Sequence, residues 1–293
     1  MGISIIIVNY NTLDLTVDCI DSIITHTHDV EYEIIVVDND STDGSKEFLS
    51  KDKRIKYIQS GENLGFGRAN NLGYEYSSGK YVFLLNSDTI LLNNAIKEFY
   101  DRMETAPPQI ACMGCLLTGK KGERIHSYGK FPTIGNEIVR RGIPFRKKMP
   151  WLSTGFDYPN VDYLDEHCFT VEYVTGADLF IRRDVIEKYG LFDKDFFMYY
   201  EETEMQHRYK QHGYLSCIID SPQIIHLEGG GKRSRWKSTS IGGLMTYFRK
   251  VHGNIQCVAL KLLLFLFITP RAIIDCRFPL RDRWGYLQHI IIF

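Results

Sequence analysis

Short apolar runs that stop abruptly at polar residues constrain the fold of this chain more than any other feature. Ile3–Val8, Glu33–Val37 and Tyr81–Leu85 are runs of this kind. Strands that are buried on both faces of a parallel sheet have this near-continuous apolar pattern, whereas half-exposed strands alternate. Each run is therefore predicted to be a central strand.

Segments with helical spacing separate these strands. Leu13, Val17 and Ile20 begin the first such segment, and further helices are predicted over about 65–76 and 92–104. Strands that alternate with helices imply right-handed crossovers. The sequence therefore predicts an α/β fold with a mostly parallel central sheet flanked by helices.

The polar residues that end the strands are the candidate site. Asn9, Asp38 and Asn86–Asp88 follow the three strands directly, and parallel strands expose such ends at one edge, where α/β proteins bind ligands. We interpret Asp88 as a ligand of a divalent cation that holds a pyrophosphate. The alternative is an aspartate that begins a turn or caps the next helix.

A nucleotide also needs a base site and a ribose contact. Asp38 can accept a hydrogen bond from a base or a ribose, and Asn9 can donate or accept. Arg68 lies in the glycine-containing stretch Asn63–Asn71, where glycines allow close backbone approach. That stretch lacks the third glycine of a dinucleotide fingerprint, and no phosphate loop of the GxxxxGK[ST] type occurs, which argues against an NTPase.

Three acids begin a polar helix predicted over about 202–211. Glu201, Glu202 and Glu204 follow the aromatic run Phe196–Tyr200. Acids at a helix start complement its dipole, but a carboxylate beside apolar walls and a like charge also gains proton affinity, as a general base requires. His226, before a glycine run, is either structural or a contact to metal or phosphate.

The C-terminal part is basic and apolar. Residues 229–293 contain eleven Lys or Arg and two Asp, in a chain of total charge −1. Cys257–Thr269 is predicted to be a helix of about 20 Å, short of a ~30 Å hydrocarbon core. We expect it to lie on an anionic membrane surface or a partner; the alternative is a helical hairpin packed on the domain.

The seven cysteines form no disulfide pattern. Cys112 and Cys115 lie in an apolar run, and on a strand they would face opposite ways. Buried thiols in a reducing cytosol are expected. Ile3–Val8 is too short, and lacks the basic leader, for a signal peptide. We therefore expect a cytoplasmic protein, peripheral on the cytosolic face of the inner membrane.

Seven motifs occur in one order along the chain. They are Val8-Asn9-Tyr10-Asn11, Val37-Asp38-Asn39-x-Ser41-Thr42-Asp43-Gly44, Asn63-x-Gly65-Phe66-x-x-Ala69-Asn70-Asn71-x-Gly73, Leu84-Leu85-Asn86-x-Asp88, Thr175-Gly176-Ala177, the acids Glu201–Glu204, and His226-x-x-Gly229-Gly230. In this order they resemble the family 2 inverting glycosyltransferases of the GT-A fold, especially the rhamnosyltransferase-like branch of bacterial surface-polysaccharide synthesis. The resemblance covers about residues 3–231.

The resemblance implies a role for each matched residue. The nucleotide sugar would be held by Asn9, Asn11, Asp38, Asn63, Gly65, Arg68 and Asn86. Mg²⁺ or Mn²⁺ would be held by Asp88 and His226, and the acceptor side would be formed by Thr175, Gly176 and Ala177. Glu202 takes the position of the catalytic base, with Glu201 as the alternative. Two departures matter: Asn86 replaces the first Asp of the family's DxD, and the base is Glu rather than Asp.

The resemblance implies transfer, with inversion, of a sugar from dTDP-rhamnose or a UDP-sugar to a hydroxyl of a glycan or lipid-linked acceptor. Residues 1–231 would form the transferase domain, with a nucleotide-binding half (1–105) and an acceptor half (106–231), and 232–293 a helical extension that meets the membrane surface. No nucleic-acid partner is expected. The alternatives are a non-catalytic nucleotide-sugar-binding scaffold that docks a partner transferase and, with less support, a sugar nucleotidyltransferase.

Overall fold

The computed structural model describes residues 2–142, 161–227, 238–274 and 280–292. Its strands are β1 (Ile3–Asn9), β2 (Tyr32–Asp38), β3 (Lys56–Gln59), β4 (Tyr81–Asn86), β5 (Thr89–Leu91), β6 (Ile110–Cys115), β7 (Tyr128–Gly129), β8 (Asp162–Asp165), β9 (Cys168–Val171), β10 (Tyr173–Val174), β11 (Asp178–Arg182), β12 (Leu215–Ile219) and β13 (Ile224–His226). Its helices are α1 (Leu13–His26), α2 (Ser45–Leu49), α3 (Phe66–Glu75), α4 (Ala95–Thr105), α5 (Ile134–Glu137) continued by a π-helical turn (Ile138–Gly142), α6 (Arg183–Tyr189), α7 (Glu201–Gln211), α8 (Ser238–Val251), α9 (Gly253–Ile274) and α10 (Leu280–Ile292).

A nine-stranded sheet in the order β3-β2-β1-β4-β11-β6-β12-β9-β8 forms the centre of the protein. The first four strands in this order are parallel, as the sequence predicts. Beyond β4 the sheet is mixed, since β11 runs antiparallel to both β4 and β6, and β9 runs antiparallel to β12 and β8. The predicted α/β architecture is confirmed, with a mixed rather than mostly parallel second half.

The strand register brings the predicted polar residues to one edge. Asn9 lies opposite Asp38 in the β1–β2 pair, and Val8 lies opposite Asn86 in the β1–β4 pair. The edge is therefore set by the parallel half of the sheet, which the apolar runs had specified.

Each face of the sheet packs against its own layer of helices. Phe83 faces the core with α1 and α4, and Leu84 faces the core with α3, α6 and α7. Cys115 lies in the core that contains Phe83, and Cys112 lies in the core that contains Leu84. They face opposite ways, as predicted for residues three apart on a strand. Among the described residues, six cysteines are free thiols, all buried.

A two-stranded sheet of β5 and β13 closes one end of the site. Thr89 pairs with His226, and the Leu227 amide donates to the Asp88 carbonyl at 2.9 Å. The Thr118 carbonyl accepts from the His226 amide at 2.8 Å. Backbone pairing alone therefore places His226 beside Asp88.

Residues 110–117 and 124–128 pair only near the turn that joins them. Thr118 bridges Arg124, and the Ile125 amide donates to the Leu117 carbonyl at 3.0 Å. Further on, Tyr128 pairs with Val174 instead. The hairpin is short because residues 128–129 form β7, which pairs with β10.

The C-terminal helices form a third apolar core. Ile241, Leu244 and Phe248 of α8 pack with Leu260 and Leu264 of α9, with α10, and with Phe196 of the main domain. Helix α9 is longer than predicted, at 22 residues. No helix within the described stretches combines the length and apolar character that crossing a bilayer requires. The predicted domain boundary at residue 231 lies outside the described residues.

Candidate active site

Asn9 and Asp38 form a buried polar pair at the exits of β1 and β2. Both are fully buried. Asn9 Nδ2 donates to Asp38 Oδ1 at 3.2 Å, and Tyr57 Oη donates to Asp38 Oδ2 at 2.9 Å. The Ser41 amide also donates to Asp38 Oδ1 at 3.2 Å, so the buried charge is compensated by hydrogen bonds. In this structure Asp38 orders the loop after β2, and its contact with a nucleotide stays a prediction.

Asn11 ties the loop after β1 to the loop after β2. It is exposed and has a positive φ of 54°. Its Oδ1 accepts from the Thr42 amide at 2.8 Å, and its own amide donates to Ser41 Oγ at 2.9 Å. Thr12 precedes α1, but its hydroxyl donates to Asn9 Oδ1 at 2.9 Å instead of capping the helix. The two loops therefore form one surface at the sheet edge.

Asn63 and Gly65 are held to this surface by Asn39. Asn39 Nδ2 donates to Asn63 Oδ1 at 3.0 Å and to the Gly65 carbonyl at 3.2 Å. Arg68 Nε donates to the Leu64 carbonyl at 2.8 Å. These bonds fix the start of α3 beside the exit of β2, where the sequence placed the nucleotide.

Asp88, His226 and Asn86 converge at the end of β4. Asp88 Oδ1 lies 3.2 Å from His226 Nε2, and their side chains are 13% and 16% exposed, so a ligand can reach both. Asn86 Nδ2 lies 3.4 Å from the same imidazole nitrogen. The resemblance implies that Asp88 and His226 share a cation and that Asn86 contacts the nucleotide sugar. The structure brings the three side chains together, and these roles stay predictions.

This group suits a divalent cation that also binds a diphosphate. Adjacent ligands of a cation at about 2.1 Å are about 3 Å apart, and the Asp88 and His226 atoms are separated by 3.2 Å. Within the described residues, no group of three His, Cys, Asp or Glu side chains could hold a metal alone. Two protein ligands are typical where substrate phosphates and water complete the coordination shell.

Thr175-Gly176-Ala177 lies between this group and the acids of α7. The Asn86 amide donates to the Ala177 carbonyl at 3.0 Å. A Cβ on Gly176 would lie 3.2 Å from the Phe66 ring and 3.8 Å from Glu202 Cβ. The segment therefore connects the Asp88 side of the site to Glu202.

Glu201 and Glu202 occupy different surroundings at the start of α7. Glu201 is 2% exposed, and its Cβ and Cγ are 3.5 Å from where a Cβ on Gly67 would lie. Glu202 instead lines a cavity. Burial and the charge of Glu202 raise the pKa of Glu201, and burial raises the pKa of Glu202. Of the two, Glu202 is the carboxylate that an acceptor can reach.

The cavity beside Glu202 has a volume of about 210 Å³. Its wall includes three tyrosines, Tyr173, Tyr199 and Tyr200, and the cations Lys130 and Arg140. Aromatic faces and a few polar groups around a carboxylate suit a sugar ring with a hydroxyl directed at Glu202.

Sequence reasoning missed several residues of the site. Asn39 lies inside the motif after β2, but the sequence alone does not reveal that it holds Asn63 and Gly65. Asp178 is fully buried, where burial raises its pKa to about 7, and it accepts from the Cys115 amide at 2.7 Å. Arg140 and Tyr173 come from segments in which the sequence shows no motif.

Comparisons with known proteins identify the family of this chain. Residues 4–190 match the family described as Glycosyl transferase family 2. A Haloferax volcanii low-salt glycan biosynthesis hexosyltransferase is 29% identical over 70% of this chain and 61% of its own length. A Mycobacterium tuberculosis N-acetylglucosaminyl-diphospho-decaprenol L-rhamnosyltransferase is 24% identical over 66% of each chain. An uncharacterized Rickettsia bellii glycosyltransferase is 39% identical over 32% of this chain but only 14% of its own length, so the chain spans less than two thirds of some relatives.

Solved structures share the fold at low identity. GalNAc-T7 bound to UDP, GalNAc and Mn²⁺ has a TM-score of 0.62 at 16% identity, covering 85% of this chain and 48% of that one. A Pyrobaculum calidifontis mannosyltransferase bound to GDP-Man and Mn²⁺ has a TM-score of 0.58 at 15% identity, covering 99% and 84%. The predicted GT-A type of α/β fold is confirmed.

Proposed function

Because the chain belongs to glycosyl transferase family 2, we propose that it is an inverting glycosyltransferase that moves a sugar from a nucleotide-diphosphate donor to an acceptor hydroxyl at Glu202. The observation that carries the proposal is the continuity of the site. Asp88 and His226 meet at the end of β4, and Thr175–Ala177 connects them to Glu202 and its cavity.

Glu202 acts as the general base. Its raised pKa favours proton uptake from an acceptor hydroxyl near neutral pH. The deprotonated oxygen forms a bond to the anomeric carbon as the bond to the diphosphate breaks on the opposite face, which inverts the configuration. The electron pair of the broken bond leaves with the nucleoside diphosphate, and the proton stays on Glu202.

Asp88 and His226 would hold Mg²⁺ or Mn²⁺. A bound cation supplies charge that stabilises the departing diphosphate. Asn86, beside both, is an amide where the family pattern has a carboxylate, so Asp88 would be the carboxylate that this group offers to the cation. Asn9, Asn11, Asp38, Asn63, Gly65 and Arg68 keep their proposed roles around the nucleotide.

The donor and acceptor are proposed from the relatives. The mycobacterial relative is named as a rhamnosyltransferase that acts on an N-acetylglucosaminyl diphospholipid, which favours dTDP-rhamnose or a UDP-sugar and a lipid-linked glycan acceptor here. These substrates belong to cell-surface polysaccharide synthesis.

The experiment that tests the function measures transfer directly. The purified chain is incubated with a panel of dTDP- and UDP-sugars and a short-chain N-acetylglucosaminyl diphospholipid, with Mn²⁺ or with EDTA. We expect one donor to give a glycosylated product only with the cation. Donor binding by calorimetry without product or nucleotide release from any donor would instead support the non-catalytic scaffold.

Helix α9 is the proposed contact with the membrane. Ile255, Val258, Leu262 and Leu266 recur every three or four residues and are 53% to 88% exposed, while Leu260 on the opposite side is buried in the third core. A helix that is apolar all round is normally covered on all sides. Residues 229–293 contain nine more basic than acidic side chains. We therefore propose that an anionic lipid surface covers the exposed apolar face of α9.

Vesicle co-sedimentation tests this contact. Wild-type protein is expected to sediment with phosphatidylglycerol vesicles more than with phosphatidylcholine vesicles, and Leu262→Glu is expected to abolish the difference. Gln256→Glu, at an exposed polar position of α9, adds the same charge and is the matched control. Undiminished binding of the Leu262→Glu variant to anionic vesicles would exclude this face.

A further inference from the structure

The backbone just before the catalytic acids is strained. Tyr199 and Tyr200 have φ angles of 72° and 73°. A non-glycine residue in this left-handed region is uncommon, and two in succession persist only where the surroundings hold them. Helix α7 begins at the next residue, so the backbone of Tyr199 and Tyr200 sets the direction of the first turn of α7, which carries Glu202.

Helix α8 lies against this strained segment. A Cβ on Gly243 would be 2.3 Å from the Tyr199 carbonyl oxygen and 3.0 Å from that of Met198. Seven residues later, Lys250 Nζ pairs with Asp193 Oδ2 at 2.8 Å. Residues seven apart lie on the same face of a helix, so α8 contacts the segment along two of its turns.

A second acidic contact strengthens the Lys250 end. Asp195 Oδ2 lies 2.7 Å from Lys250 Nζ. Between the two ends, Phe196 is buried among Ile241, Leu244 and Phe248 of α8. Apolar packing therefore fills the space between the ion pairs and the Gly243 contact.

Two further contacts hold the segment from the opposite sides. A Cβ on Gly65 would be 2.0 Å from the Phe197 carbonyl oxygen, which accepts from the Phe66 amide at 2.9 Å. Arg140 Nη2 donates to Tyr200 Oη at 2.6 Å and to the Glu137 carboxylate at 2.8 Å. The segment is thus fixed between the nucleotide side, the acceptor cavity and α8.

We propose that α8 positions the catalytic base: Gly243 packs against the Tyr199 carbonyl, Lys250 holds Asp193 and Asp195 at the other end of the same segment, and together they aim Glu202 at the acceptor. This role rests on the proposed function of Glu202. Helix α8 and the strained segment both lie beyond residues 4–190, the part that matches the family. The C-terminal extension is therefore part of the catalytic unit of this chain.

Gly243→Ala tests the close approach. The added methyl must displace the Tyr199 carbonyl, and a misplacement of about 1 Å in such a site can cost about 10²-fold in rate. We expect kcat for transfer to fall by roughly that factor, while the donor Kd stays within about twofold of wild type because the nucleotide contacts lie elsewhere. Gly285→Ala in α10 is the matched control, since a Cβ there meets no atom within 4 Å.

Lys250 provides an independent test should Gly243→Ala fail to fold. Lys250→Met removes both ion pairs and is expected to lower kcat by roughly tenfold with an unchanged donor Kd, and Lys250→Arg is expected to restore transfer, since Arg keeps the charge. Wild-type kcat in both Gly243→Ala and Lys250→Met would overturn the positioning role. If these variants lose donor affinity and unfold at a lower midpoint as well, α8 only supports the fold and the positioning role is wrong. If the wild-type chain itself transfers no sugar from the donor panel, the proposed function fails, and this inference fails with it.

Discussion

Replacing Glu202 by Gln removes the proposed proton acceptor with almost no change in side-chain shape. The side chain lines the cavity of about 210 Å³, so the amide stays where an acceptor hydroxyl arrives but cannot take its proton. Neighbouring Glu201 is 2% exposed, and no acceptor oxygen can approach it. Comparing Glu202→Gln with Glu201→Gln therefore shows which of the two adjacent glutamates is the base.

The expected loss for Glu202→Gln is that of general base catalysis. Such catalysis contributes about 10²–10⁴-fold, or about 3–5 kcal/mol of transition-state stabilisation. Glu201→Gln is expected to change kcat by less than about tenfold, because burial and the charge of Glu202 raise the pKa of Glu201, so near neutral pH Glu201 already resembles the uncharged glutamine.

The pH profile of kcat/KM adds a second measurement. The base must be deprotonated, so activity rises with pH through its pKa. Because burial raises the pKa of Glu202, the acidic limb is expected at a higher pH than the ordinary glutamate value of about 4.3. In Glu202→Gln this limb is expected to disappear from the residual activity.

The assay is single-turnover transfer to a short-chain N-acetylglucosaminyl diphospholipid, with donor Kd measured by calorimetry. Glu202→Gln should bind donor as wild type does. Near-wild-type transfer by this variant, or a larger loss in Glu201→Gln, would refute the assignment of the base.

Three further predictions concern the metal, the loop before α3 and the buried acid. In Asp88→Asn we expect turnover to fall by about 10²-fold or more, with weaker Mn²⁺ binding by electron paramagnetic resonance, and wild-type turnover that EDTA leaves intact would contradict this. In Gly65→Ala the methyl would lie 2.0 Å from the Phe197 carbonyl oxygen, so chemical denaturation should show a free energy of unfolding lower by about 2–3 kcal/mol. The control is Gly61→Ala, where φ is also positive but no atom lies within 4 Å. There the expected loss is about 1 kcal/mol. Since burial raises the pKa of Glu201 in the folded state, its charge lowers stability as pH rises through that value, and Glu201→Gln should raise the Tm more at pH 9 than at pH 5; an equal effect at both would contradict the shift.

The parallel half of the sheet was predictable because its information is local. An unbroken run such as Tyr81–Leu85 indicates burial on both faces, and the polar residues after it mark the strand end. Parallel register then brought Asn9 and Asp38 together. Burial and strand direction follow from short stretches of sequence, so this part needed no knowledge of distant partners.

The mixed half was not predictable in the same way. Apolar spacing in Asp178–Arg182 reveals a strand but not that it runs antiparallel between β4 and β6. Nor does it reveal that β13 leaves the main sheet to pair with β5. The meeting of Asp88 with His226 was expected from the order of motifs and not from their spacing. Arg140 was missed because its segment has no periodic pattern and its role depends on Tyr200, sixty residues away.

The β5–β13 pair has a consequence for biosynthesis. His226 and Asn86 are 140 residues apart in the chain, so a ribosome must make most of the protein before the imidazole can reach the end of β4. Closing a loop of this size costs conformational entropy that only the finished core offsets. A nascent polypeptide that has not reached residue 226 therefore lacks the imidazole that meets Asp88 and Asn86.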